Sequence, residues 1–97
     1  MILKQHMTPD RRLILAICDD GLLGKTFCEG KKQLDLSSEF YNGTKVEEGE
    51  VVPLLNKAYA INAAGKAAVS VCIKAGLAEP SDINRICRIP FLQLVRG

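Results

Sequence analysis

The sequence predicts an α+β fold: one small domain, residues 1–97, with a mostly antiparallel sheet of about four to six short strands packed against a helical region at residues 48–76. Two observations lead to this fold class. Runs rich in apolar and β-branched residues lie at both ends of the chain, and an Ala-rich stretch typical of helix lies between them. The composition, 47% hydrophobic and 25% charged, excludes a disordered chain.

Two short apolar runs, residues 2–7 and 12–18, open the chain on either side of a Thr-Pro-Asp-Arg turn signal. An antiparallel hairpin is the simplest interpretation. Alternate residues of the second run point to opposite sides, and both sides are apolar. One side carries Leu13, Leu15 and Ile17, and the other carries Ile14, Ala16 and Cys18. This pattern predicts a central strand that is covered on both faces, or half-covered by a partner chain.

Residues 19–32 contain two glycine motifs that resemble ligand-binding loops. Residues 24–26, Gly-Lys-Thr, end like a phosphate loop, but Asp19 stands where that motif needs glycine, and an acid there would repel a phosphate. Residues 21–24 match the Gly-x-x-Gly of single-strand-binding KH domains, yet both central residues are leucine. We therefore expect no nucleotide and no cofactor here. The favoured interpretation is a strand end, a short helical turn and a glycine turn, with Leu22, Leu23 and Phe27 buried.

Short elements follow: a strand at residues 32–36, a helical turn closed by Gly43, and a brief strand at 44–46. The helical region is predicted from apolar or small residues spaced alternately by four and three. They are Leu54, Ala58, Ile61, Gly65, Ala68, Cys72 and Ala75. One long helix or two with a break would fit, with a bend or boundary near residues 59–65 and a cap at Gly76.

After this region, residues 79–82 form a helix stop and a turn, and two β-rich runs, 83–89 and 91–95, flank Pro90. A proline at this place indicates an edge strand, a bulge or a tight bend. Residues 51–97 carry two acidic and six basic side chains, whereas residues 10–50 carry nine acidic and six basic ones. The positive field therefore belongs to the C-terminal half.

The four cysteines contain no Cys-x-x-Cys pair, and the chain has a single histidine, His6. This spacing does not suit a zinc site, so we predict no metal and reduced cysteines at Cys18, Cys28, Cys72 and Cys87. The N-terminal residues are too few and too polar for a signal peptide, and lysines interrupt every long apolar run. We therefore expect a cytoplasmic protein with no membrane role.

Several short motifs, in order along most of the chain, resemble a small archaeal family known as domain of unknown function 424. The matching stretches are Leu22-Leu23-Gly24-Lys25 with Phe27, Glu29 and Gly30, then Phe40-Tyr41-x-Gly43, Ala60-x-Asn62-x-x-Gly65 with Ala68-Val69, Ala75-Gly76-Leu77, and Ile89-Pro90 with Gln93-x-Val95-Arg96. One departure is Phe91-Leu92, where a polar or His-containing pair is expected. The resemblance implies an archaeal, cytoplasmic, single-domain protein and assigns no activity. It marks Gly24, Lys25, Asn62, Gly65 and Gln93 as motif positions of unknown role.

Three kinds of function fit the sequence, and none can be made specific. The favoured one is a small non-catalytic interaction or adaptor protein with a protein partner or self-association, built on its apolar strands. The alternative is an RNA- or ribonucleoprotein-binding module that uses the basic C-terminal half. Its candidate phosphate contacts are Lys25, Arg85, Arg88 and Arg96.

An enzyme is the third and least favoured hypothesis. The polar groups available for catalysis are Asp19, Asp20, Lys25, Cys28, Asn62 and Gln93. Asp19 and Asp20 are adjacent and so would point in opposite directions on a strand. No Ser–His–Asp, metal or cofactor pattern is present, and no catalytic residue is assigned.

Overall fold

The computed structural model describes residues 1–96, which form eight strands and two α-helices. In chain order these are β1 (Ile2–Met7), β2 (Leu13–Cys18), β3 (Thr26–Glu29), β4 (Lys32–Asp35), β5 (Thr44–Lys45), α1 (Glu48–Leu55), β6 (Ala60–Ala64), α2 (Lys66–Lys74), β7 (Asn84–Ile86) and β8 (Ile89–Val95). Short 3₁₀ turns lie at Asp20–Leu22 and Pro80–Asp82. No helix among residues 1–96 is long and apolar enough to cross a membrane.

Six strands form the main sheet in the order β5-β1-β2-β6-β8-β7, and β3 pairs with β4 in a separate two-stranded sheet. Strands β2 and β6 run parallel, and every other neighbouring pair is antiparallel. The predicted α+β class with a mostly antiparallel sheet is therefore confirmed.

The predicted N-terminal hairpin is also confirmed. Strands β1 and β2 pair along their full length, from Ile2 opposite Cys18 to Met7 opposite Leu13. The turn between them is closed by the Arg11 N–H, which donates to the Thr8 carbonyl at 2.9 Å. Strand β2 occupies the predicted central position, with β1 on one side and β6 on the other.

The prediction of helix across residues 60–64 is wrong, because these residues form strand β6 between helices α1 and α2. A boundary near residues 59–65 was expected, and the structure places there a complete strand paired with β2 and β8. The spacing of the apolar residues in this segment fits either a helix or a strand, so periodicity alone does not decide between them. Hydrogen bonding to strands on both sides outweighs the helix propensity of alanine. The cap at Gly76 is confirmed by its φ of 76°.

Two further differences concern the shorter elements. Residues 26–29 form strand β3, which the sequence did not indicate, and the predicted glycine turn at Gly30 connects it to β4. Pro90 lies inside β8, opposite Arg85 of the edge strand β7. The tight bend expected near this proline is the two-residue turn Cys87–Arg88 between β7 and β8.

Both faces of the sheet carry a buried cluster, because adjacent residues of a strand point to opposite faces. One face packs under α1 and α2 through residues that include Leu15, Ile17, Ile61, Ala63 and Leu92. The opposite face packs under the β3–β4 hairpin through Cys18, Leu34, Leu36, Ala64 and Ile86.

The hairpin covers only one end of its face. The strand registers place six other residues, all at least partly exposed, on the part that it leaves uncovered, which we call the open half of the sheet: Lys4, Ile14, Ala60, Asn62, Gln93 and Val95. On the same face Ala16 is buried and His6 stacks on the Phe40 ring. None of these residues belongs to either buried cluster.

Candidate anion-binding site

A cleft with a volume of about 600 Å³ lies beyond the carboxyl ends of β2 and β6. The residues that follow these two parallel strands lie on opposite faces of the sheet. The segment after β2 contributes Leu22 to the buried cluster under the β3–β4 hairpin. Helix α2, which follows β6, belongs to the buried cluster on the opposite face. Connections that leave two neighbouring parallel strands toward opposite faces create a crevice between them, and ligands of open α/β sheets bind in such crevices.

Asp19, the residue after β2, caps helix α2. Its backbone N–H donates to the Ala64 carbonyl at 3.0 Å, which extends the pairing with β6 by one residue. Its carboxylate oxygens accept hydrogen bonds from the backbone N–H groups of Ala67 at 3.1 Å and Ala68 at 2.8 Å. The positive end of the helix dipole therefore offsets the charge of this acid.

Gly65 makes this close approach possible. Its φ is 105°, and an added Cβ would lie 2.3 Å from the Asp19 Cγ. Its N–H donates to the Pro90 carbonyl at 2.8 Å and so ties the end of β6 to β8. Small residues surround Gly65 in the sequence, and they predict a tight environment for it. The environment is tight, but the neighbour is the carboxylate that caps α2.

Three basic side chains line the cleft: Lys66, Arg85 and Arg88. All three are exposed. Within residues 1–96 no carboxylate oxygen lies within 4.0 Å of their charged nitrogens. Asp19, whose carboxylate binds the N-terminus of α2, is the one acidic residue of the lining, so basic side chains outnumber acidic ones there by three to one.

Arg88 belongs to a turn with an unusual backbone. Cys87 has a φ of 51° and Arg88 a φ of 67°, so both central residues of this two-residue hairpin turn are left-handed. Turns of this type normally contain Asn-Gly, because most side chains disfavour positive φ. The Cys87 N–H donates to Glu29 Oε1 at 3.0 Å, which links the turn to strand β3.

A smaller hollow of about 250 Å³ lies next to the cleft, beside α2. The two cavities share Lys66, Arg85 and Pro90 in their walls, and Val69 and Ile73 line the smaller one.

The structure brings together two of the four predicted phosphate contacts. Arg85 and Arg88 face the same cleft, whereas Lys25 lies outside its lining, in the turn before β3. Arg96 lies at the opposite end of the sheet. Its guanidinium donates to the carbonyls of Leu55 at 3.0 Å and Asn56 at 3.3 Å, at the carboxyl end of α1. Arg96 therefore stabilises a helix end.

The five motif positions occupy three different places. Gly65 lines the cleft, and Gly24, with a φ of 88°, precedes Lys25 in the turn that leads into β3. Asn62 and Gln93 are cross-strand partners on β6 and β8, and both belong to the open half of the sheet. Residues 24–26 lead into a strand instead of a helix, so the backbone array of a phosphate loop is not formed there.

Apart from the cross-strand pair of Asn62 and Gln93, the polar groups considered for catalysis do not converge. Asp19 caps α2, whereas Asp20 contacts the N-terminal amine and lies 3.4 Å from the Lys45 ammonium. The hydrogen bond from the N-terminal amine and the nearby Lys45 hold the pKa of Asp20 below its usual value. Cys28 is exposed on β3. In the described part of the chain, no three metal-binding side chains are close enough to hold an ion.

The sequence alone did not mark two residues of the site as ligand contacts. Lys66 belongs to none of the motifs, and Asp19 was considered as a departure from the phosphate loop and as a catalytic acid. The available signal was the order of elements: a short run of small apolar residues, then Gly65, then an amphipathic helix. Such a strand–glycine–helix sequence is typical of ligand-binding turns in sheets with parallel strands.

The sequence matches, over residues 6–96, the family described as "Protein of unknown function (DUF424)". The chain belongs to this family. The resemblance inferred from the motifs is thereby confirmed. The description of this family gives no activity, so membership assigns no specific function to the chain.

The fold is similar to that in the "Crystal structure of an uncharacterized conserved protein from Methanopyrus kandleri". The two chains are 31% identical, the match covers 99% of this chain and 92% of the other, and the TM-score is 0.83. Among curated proteins, none matches this sequence.

Proposed function

We propose that this protein is a small non-catalytic binding protein that holds the phosphate backbone of an RNA segment in the cleft beyond β2 and β6. The observation that carries the proposal is the convergence of Lys66, Arg85 and Arg88 in one cleft, without carboxylate partners within residues 1–96. We place this activity in the cytoplasm.

The chemistry of the three side chains supports phosphate as the ligand. A guanidinium presents parallel N–H donors that match two phosphate oxygens, and a lysine adds a compact charge. Phosphate contacts fix the position of a nucleic acid without reading its sequence. Aromatic residues make up only 5% of the chain, so stacking of bases contributes little and we expect weak sequence preference.

The test is RNA binding by the purified protein at two salt concentrations. With three phosphate contacts, the slope of log affinity against log salt is expected to be about −2, since each contact to a single strand contributes about −0.7. The Arg85→Gln/Arg88→Gln double variant should bind far more weakly and show a smaller slope. The control is Arg11→Gln/Lys57→Gln, which removes the same charge from exposed residues at the other end of the sheet.

Absence of RNA binding at low salt would contradict the proposal. Equal weakening by both double variants would also contradict it, because the effect would then come from net charge and not from the cleft.

Self-association is a second candidate, favoured by the exposure of Val95. This side chain is 72% exposed and lies on the open half of the sheet, in one row with Ala60 and Ile14. A second copy that covers this row would bury apolar surface that the monomer leaves in water.

We expect Val95→Lys to convert a dimer into a monomer in analytical ultracentrifugation. Val52→Lys is the control, because Val52 is 38% exposed and lies on α1, away from the open half. A wild-type protein that stays monomeric at all concentrations would exclude self-association.

A further inference from the structure

Two exposed cysteines that are far apart in the sequence meet at the edge of the β3–β4 hairpin. The Cys87 thiol donates to the Cys28 carbonyl, with 3.2 Å between sulfur and oxygen. The other two cysteines, Cys18 and Cys72, are fully buried in separate clusters. The structure therefore distinguishes one accessible pair of thiols from two inaccessible single ones.

The approach of Cys28 and Cys87 is fixed from both sides. Cys87 occupies the left-handed turn between β7 and β8, and its N–H is bound by the Glu29 carboxylate. On the other side, Phe27 and Leu34 anchor the hairpin in the buried cluster. The carbonyl oxygen that the Cys87 thiol contacts belongs to the same residue as the Cys28 sulfur. Rotation of the two side chains therefore changes the distance between the sulfur atoms while the backbone stays in place.

We propose that Cys28 and Cys87 are a modification site, at which a peroxide oxidises the two thiols to a reversible disulfide. Peroxide first converts one thiol to a sulfenic acid and releases water. The second thiol then attacks that sulfur, the S–S bond forms, and a second water leaves. The two thiols give up two electrons to the peroxide, and a cellular dithiol restores them by exchange. A transient bond of this kind is compatible with a reducing compartment.

The bond would act on the cleft through Arg88, the residue next to Cys87. A disulfide fixes the turn against β3 and so restricts the positions that the Arg88 guanidinium can reach. This consequence for ligand binding rests on the proposed function, whereas the disulfide itself does not.

The first experiment measures the bond directly. The full chain is reduced, freed of reductant, treated with hydrogen peroxide, alkylated in denaturant and analysed by mass spectrometry. We expect an intact mass lower by two hydrogens before alkylation, and a cross-linked peptide pair that contains Cys28 and Cys87 and disappears on reduction. Cys28→Ser and Cys87→Ser should both abolish the cross-link, whereas Cys72→Ala, which keeps both exposed thiols, should retain it.

Oxidation of Cys28 or Cys87 to sulfinic acid without a cross-link would overturn the proposal, as would a disulfide that joins two chains. RNA binding by the reduced and oxidised forms then tests the link to the cleft. A different affinity of the two forms supports the link, and equal affinities overturn it. A disulfide in a protein that binds no RNA in either form supports the modification site and contradicts the proposed function.

Discussion

Gly65 and Asp19 share a space that leaves no room for a larger side chain at the glycine. The carboxylate of Asp19 lies where a Cβ on Gly65 would be, and it caps α2 through the N–H groups of Ala67 and Ala68. A single glycine therefore ends β6, precedes α2 and leaves space for the carboxylate that caps this helix. At the scale of the residue, this is the most sensitive position of the cleft.

We expect Gly65→Ala to lower the free energy of unfolding by about 1–3 kcal/mol, because alanine disfavours the positive φ and its methyl group would displace the Asp19 carboxylate. Thermal unfolding measures the effect. Gly49→Ala is the matched control, since an added Cβ at Gly49 in α1 meets nothing within 4 Å. Equal melting temperatures for Gly65→Ala and wild type would contradict this account.

At the scale of the element, β6 shows why periodicity misled. Its residues, Ala-Ile-Asn-Ala-Ala, continue an apolar spacing that also fits a helix. Strands β2 and β8 pair with it along its whole length, and Ile61, Ala63 and Ala64 are buried. Small side chains suit this position, because one face lies under α2 and the other partly under the hairpin.

We predict that the amide protons of residues 61–64 are among the slowest to exchange with deuterium. Exchange there should require global unfolding, because both neighbours of β6 are strands and the segment is buried. Strand β5, which is two residues long and lies at the sheet edge, should exchange quickly. Hydrogen exchange read by mass spectrometry checks both statements. Fast exchange at residues 61–64 would contradict the central position of β6.

At the scale of the whole molecule, the buried clusters on the two faces of the sheet both contain ionisable groups. Burial, and secondarily the nearby Asp19 charge, raises the pKa of the Cys18 thiol to about 11. Burial raises the pKa of the Cys72 thiol to about 11 and that of the Tyr41 hydroxyl to about 12. All three groups are neutral in the folded protein at neutral pH.

These shifts predict a loss of stability in alkali. Above a pH of about 9, the ordinary value for a thiol, the unfolded chain loses protons that the folded protein keeps. The stability that depends on these protons is complete below that pH and is lost as the pH rises toward 11. Melting temperatures recorded under reducing conditions across this range should fall. The decline should be shallower in Cys72→Ala than in wild type, and equal slopes would contradict the assignment to buried thiols.

The sequence by itself determined those features that depend on neighbours along the chain. The Pro-Asp turn signal predicted the hairpin of β1 and β2, and the alternation from Leu13 to Cys18 predicted a central strand with two apolar faces. Short motifs identified the family, and the small residues around Gly65 predicted a tight site. These inferences need only local periodicity and the steric properties of single residues.

Only the tertiary structure decided which distant residues meet. Residues 60–64 form a strand, and Lys66 lines the same cleft as Arg85 and Arg88. Arg96 lies at the other end of the sheet. The tertiary structure also brought Cys87 to Cys28. The physical reason is that strand pairing and burial act between segments that are far apart in the chain, and no local pattern in the sequence indicates which segments meet. A basic or apolar residue looks the same in the sequence whichever end of the sheet it reaches.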